Sequence, residues 1–337
     1  MMRKRCDFVE WVICMLLMTI GFSACSSIDD DRTDCGEEEE ELQLDYELRL
    51  VTNMTTELQT QLTTITEVGV ANALKTHLED IFSDFAHDID LSFYDTEGDK
   101  GVLYHKSDVI DANQTTYTLT LPMNKYMHLA VANLVENAVV SLENEEYSYS
   151  SKLHQQEGSA LDSHTTGLFT ARQPMEVLSG VSQVFNVRLY MANSAVALVL
   201  DTKGHQYTDL KVYATGFATQ FNINDSVYVY PEASPLIRAN KVETENDLLC
   251  YCSVNFPSRD AAPAGTNTIW QLKVYMTNLD GSVTETVLDI DEPLKAGDLK
   301  VIKGSVDDEG AIRPYDSTVG VSVTLDWNHG GTYDPEL

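Results

Sequence analysis

Leu42-Gln43-Leu44-Asp45-Tyr46-Glu47-Leu48-Arg49-Leu50 alternates apolar and polar residues without a break. Successive side chains of an extended chain point to opposite faces, so this stretch predicts a half-buried strand with one wet face. The same pattern returns over residues 89–94, 116–121 and 126–134. It resumes over 182–190, 195–200, 210–215, 248–256, 268–277, 282–290 and 300–304. The last instance is Val319, Val321, Val323, Leu325 and Trp327. Turn residues such as Glu97-Gly98-Asp99 and Asp111 to Asn113 separate the runs. One segment has a different period: Val70, Leu74, Leu78, Ile81, Phe82 and Phe85 share one face at helical spacing. Residues 141–176 are polar and read as a long surface loop or connector. Many short strands with one or two short helices predict a mostly β fold of sandwich domains. The length of 337 residues allows two of them, over 42–180 and 181–337.

Upstream of the first strand the chain reads as an export signal. Arg3, Lys4 and Arg5 precede a mostly apolar run over 11–22, which ends in Ser23-Ala24-Cys25. A bilayer crossing needs about 20 apolar residues, so the run is too short to span and suits a signal core over 1–24. Small residues at 23 and 24 fit a peptidase that cuts before Cys25. The freed cysteine can carry a diacylglyceryl thioether and an amide-linked third chain. Each buried CH2 adds about 0.8 kcal/mol, so two or three chains hold a protein on a membrane. The competing expectation is an ordinary cleaved signal with an incidental cysteine. Residues 25–41 form an acidic tether, disordered or extended, with Asp29, Asp30 and Asp31 and a Glu run over 37–41. The aspartate cluster resembles the surface-export signal of Bacteroidetes lipoproteins, which implies the outer leaflet of the outer membrane, facing outward.

The formal net charge of −31 makes a poor surface for nucleic acid and argues against docking on anionic headgroups by charge. Of six cysteines, Cys6 and Cys14 leave with the signal and Cys25 is used by lipid. Cys250 and Cys252 fall on one face of a strand, near the upper limit for a mutual disulfide. A bond from Cys35 to one of the two is the more plausible pairing. A Cys-x-Cys metal site lacks a second Cys/His pair. No Gly-x-Ser-x-Gly, His-Glu-x-x-His or phosphate-cradling glycine loop is present, so neither an enzyme nor a cofactor is expected. The acidic runs 95–99 and 289–292 lack calcium-loop spacing and read as turns. Asp225-Ser226-Val227 and Asp316-Ser317-Thr318 resemble a short O-glycosylation motif of Bacteroidetes exported proteins.

Several segments together resemble the FimB-type fimbrial anchor family of the Bacteroidetes. They are Cys25 with its aspartates and Asp34-Cys35, the strand 42–50, and Tyr126 to Leu134 with its Ala-Asn-Leu ending. Val187-Arg188-Leu189 followed by 195–200, and the ending Val319 to Trp327 with the tail 328–337, complete the set. The resemblance implies two tandem transthyretin-like β-sandwiches. It also implies a lipoprotein that holds a fimbria to the outer membrane and limits its length. In that family, stalk pilins polymerise by strand exchange and the anchor keeps its first strand. Here 42–50 would be the retained strand. Val319, Val321, Val323, Leu325 and Trp327 would meet a stalk pilin, unless they simply belong to the second domain's sheet. The rival function is glycan capture beside a transporter, which needs exposed aromatic platforms. Its candidates are Tyr147 and Tyr149, with Trp270 and Trp327 in strand patterns.

Overall fold

The computed structural model describes residues 39–49, 58, 60–82, 88–97, 102–108, 116–144, 148–245 and 247–326. The fold is mostly β, as the alternation predicts, and the strands of the described residues form four sheets.

The first sheet has seven strands. They are β1 (Glu39–Arg49), β2 (Ile89–Asp95), β3 (Val102–Asp108), β4 (Thr116–Pro122), β5 (Lys125–Ala132), β9 (Phe169–Glu176) and β10 (Gln183–Met191), in the order β3-β2-β5-β9-β10-β1-β4. The second sheet contains β11 (Ser194–Asp201), β16 (Asn240–Val242), β17 (Leu248–Asn255), β20 (Leu299–Val306) and β21 (Ile312–Pro314), ordered β16-β17-β11-β20-β21. The third contains β8 (Ala160–Asp162), β12 (Tyr207–Thr215), β15 (Leu236–Arg238), β18 (Trp270–Asn278), β19 (Val283–Ile290) and β22 (Gly320–Asp326), ordered β22-β19-β18-β12-β15-β8. A small fourth sheet joins β6 (Val140–Glu143), β7 (Lys152–Gln155), β13 (Gln220–Asn222) and β14 (Val227–Val229).

The layers stack through alternating side chains. β11 is buried on both faces, so it reads as a continuous apolar run. Its Val196, Leu198 and Leu200 enter a core with Leu272, Val274 and Leu288 of the third sheet. Its Ala195, Ala197 and Val199 face the other way. They join Leu42, Leu44, Leu91 and Phe93 of the first sheet in a second core. The helix α1 (Val68–Ile81) completes that core with Val70, Leu74, Leu78 and Ile81, the stripe its sequence period predicts. The helix stops at Phe82, whose N–H bonds Leu78 O at 2.7 Å, while Gly167 N–H bonds Ile81 O at 2.8 Å. Phe85, expected on the same face, lies outside the described residues.

Three local expectations are corrected. Residues 141–176 are not a surface loop: they contribute to β6 and contain β7, β8 and β9. Their polarity hides the pattern because buried positions include Gln155, Ser163 and His164 beside Leu153, Leu161 and Leu168. Residues 39–41, read as tether, are already strand, paired to Pro122, Leu121 and Thr120 of β4. Their acidic side chains tolerate this because strand pairing uses only the backbone, and Glu40 accepts the Gly180 N–H at 2.8 Å. The strand over 182–190, grouped with the second half, pairs instead with β1 and β9 in the first sheet. The chain crosses to the second sheet after Met191.

Candidate functional site

β1 is an interior strand, although it stands first in the described chain. On one side it runs parallel to β10, from Leu42 opposite Gln183 to Arg49 opposite Tyr190. On the other it runs antiparallel to β4, from Glu39 opposite Pro122 to Asp45 opposite Thr116. Leu42 and Leu44 are buried in the shared core. Asp45 Oδ1 accepts the Thr116 hydroxyl at 2.8 Å and the Gln43 amide at 2.9 Å. Without β1, both β4 and β10 would lose a row of backbone hydrogen bonds and the core its lid. Arg49 is held at its backbone by Tyr190 of β10.

β22 has the opposite character. Among the described residues it ends the third sheet and pairs only with β19, from Gly320 opposite Asp289 to Asp326 opposite Val283. Residues directly opposite in an antiparallel pair share a face. Val321 therefore sits beside Leu288 and Val323 beside Thr286, on the face that β19 buries. The cover stops short of them. Ile312 N–H donates to Thr286 Oγ1 at 3.0 Å and Thr284 Oγ1 donates to Glu309 O at 2.8 Å, so the β20–β21 turn lies over β19. Val319, before the strand, is 7% exposed, whereas Val321 is 38% and Val323 36% exposed. Leu325 continues the row opposite Thr284 by backbone register. Soluble proteins usually guard an edge with lysine, proline or a bulge. Residues 320–325 carry none of these, while the edge strands β3 and β21 carry Lys106 and Pro314.

The remaining expected residues divide into two groups. Cys25, Asp29, Asp30, Asp31, Cys35, Tyr147 and Trp327 lie outside the described residues. Cys250 and Cys252 are buried free thiols on the β17 face that packs toward α1. Burial pushes the Cys250 thiol up to about 12 and that of Cys252 well above its ordinary value. Trp270 is 1% exposed, with its indole N–H donated to Glu292 O at 2.8 Å, so it offers no stacking platform. Tyr149 is exposed and meets Tyr94 edge-on. Asp316 Oδ1 accepts both the N–H and the hydroxyl of Thr318, so its turn is a capped bend. Among the described residues no three His, Cys, Asp or Glu side chains gather as a metal set. No helix there is long and apolar enough to cross a membrane.

The alternation read from sequence did not reveal a buried polar joint where the first sheet hands over to the second. Asn193 Oδ1 accepts the Leu168 N–H at 2.5 Å, and its amide donates to His164 Nδ1 at 2.6 Å. His164 is buried, and desolvation lowers its pKa to about 3.

No sequence-family model matches the chain, and no curated protein matches it. Solved structures do. The chain has the fold of a "putative adhesin" from Bacteroides thetaiotaomicron. The TM-score is 0.51 at 9% identity, over 84% of this chain and 96% of that one. The fimbrial anchor protein Mfa2 from Porphyromonas gingivalis aligns with a TM-score of 0.46 at 9% identity, over 87% and 98% of the two chains. A fimbrial assembly protein from Parabacteroides distasonis aligns at 0.43 and 11% identity, over 86% and 99%. At such identities the likeness is one of fold.

Proposed function

We propose that this protein is a surface lipoprotein that fixes a fimbria to the outer membrane and limits its growth. Acyl chains on Cys25 hold it to the membrane, with Asp29, Asp30 and Asp31 directing it outward. The contact with the stalk pilin is β-augmentation at β22: a partner strand takes up the free backbone edge and covers Val321, Val323 and Leu325. Trp327 and the tail extend that contact.

The observation that carries this reading is the edge of β22, unpaired among the described residues, with its third-exposed valine row. The sequence resemblance to fimbrial anchors supplies the class of partner. The interior position of β1 supports a terminal role, because a subunit whose first strand is locked between β4 and β10 offers no groove there for another's strand. No enzymatic step and no cofactor enter this function.

Deleting the gene in the native host tests it. The expected result is fimbriae that are longer or shed into the medium, with the wild-type chain co-purifying with fimbriae from intact cells. Attached fimbriae of normal length in the deletion strain would refute it.

A further inference from the structure

The second sheet has an unfinished edge. β20 runs parallel to β11 from Leu299 opposite Ala195 to Ser305 opposite Asp201. On its other side β21 pairs only with Gly304, Ser305 and Val306. One further bond follows, from Tyr315 N–H to Lys303 O at 2.8 Å. Among the described residues, no strand continues along 299–302 on that side.

A side chain takes the place of the missing strand. Gln61 Nε2 donates to Leu299 O at 3.0 Å, and Gln61 Oε1 accepts from Val301 N–H at 2.7 Å. One primary amide thus meets a carbonyl and an N–H two residues apart, the groups that a neighbouring strand's peptide units would meet. Lys303 fastens the same segment: its Nζ donates to Gln61 O at 2.7 Å and pairs with Glu67 at 3.1 Å. Leu58 and Leu62, each 5% exposed, root the segment in the core beside Leu299 and Val301. A cleft of about 520 Å³ opens beside Gln61, bounded by Glu292, Pro293 and Tyr315.

We propose that this edge of β20 is a strand-acceptor site for an extended peptide from another protein, and that Gln61 closes it in the free molecule. The chemistry selects a polypeptide. The two groups on offer are main-chain groups at strand spacing, and the amide already seated on them imitates a peptide unit. A net charge of −31 repels a second copy of this chain and favours a neutral or basic segment. The site is the stretch of β20 that β21 leaves uncovered in the second sheet, whereas β22 ends the third, so it goes beyond the fimbrial reading and stands without it.

The test uses the purified full chain and a fluorescein-labelled nonapeptide of alternating Thr, Val and Lys as probe. Fluorescence anisotropy gives affinity, and hydrogen exchange read by mass spectrometry gives location. The Gln61→Ala variant is expected to bind at least tenfold more tightly than the wild type, with new protection confined to 299–303. Gln61→Glu keeps the side-chain length but cannot donate to Leu299 O, so it should gain affinity too and serves if the alanine variant fails to fold. Equal affinity in wild type and variants, or no binding to any of them, would overturn the proposal. So would protection over 320–326, a result that would leave the β22 contact standing alone.

Discussion

His128 and His164 are fully enclosed rings that must stay neutral for the fold to hold. His128 stacks on Phe93 with ring centres 4.4 Å apart and donates Nδ1–H to Ser92 O at 3.1 Å. Desolvation lowers its pKa to about 4, against a partial rise from the Ser92 bond. His164 must accept the Asn193 amide at Nδ1, which protonation there would abolish. Both pKa values lie below the 6.5 of a free imidazole. As pH falls, the unfolded chain therefore takes up protons first. The stability these rings confer is complete above about pH 6.5 and is lost through the window down to about 4 for His128 and 3 for His164. Each ring contributes a slope of about 1.4 kcal/mol per pH unit inside its window. Urea titrations between pH 6 and pH 4.5 should show about twice that slope in the wild type and about half the wild-type value in His164→Gln. An unchanged slope in the variant would show that this ring titrates freely.

At the scale of elements, β1 and β22 are alike in sequence and opposite in setting. Leu44 is buried on a strand paired along both edges. Leu44→Ala should cost about 2–5 kcal/mol in denaturant melts, the range for truncating a buried leucine. Trypsin should leave the bond after Arg49 intact in the folded protein, since its backbone is held against β10; rapid cleavage there would contradict the locked strand. The period-2 pattern made both strands legible and marked α1 by its change of period. It could not say that β1 lies inside a sheet and β22 at an edge, because alternation reports one wet face and is silent on backbone neighbours. It also missed β7, β8 and β9. Gln155 of β7, and Ser163 and His164 just after β8, are buried polar residues, and a pattern of hydrophobic residues does not register them. Gln61 left no signal either. Its role depends on a β20 edge more than 200 residues away in sequence.

For the whole molecule, the proposed function divides labour between a locked first sheet and the β22 edge, which no other described strand pairs. Under the proposed function the two regions have different tasks: acyl chains on Cys25 would hold the membrane, and β22 would take up a strand of the fimbria. Charge is compatible with the proposed function, because a strongly acidic body is repelled by anionic headgroups. The most direct measurement replaces Val321 and Val323 together by lysine in the native host and counts attached and shed fimbriae by electron microscopy. Both side chains are more than a third exposed, so the purified variant should keep its stability within about 0.5 kcal/mol per substitution. The result predicted is a folded, membrane-bound protein with fimbriae shed into the medium. Fimbriae attached at normal length and number on cells carrying that folded variant would contradict the β22 contact.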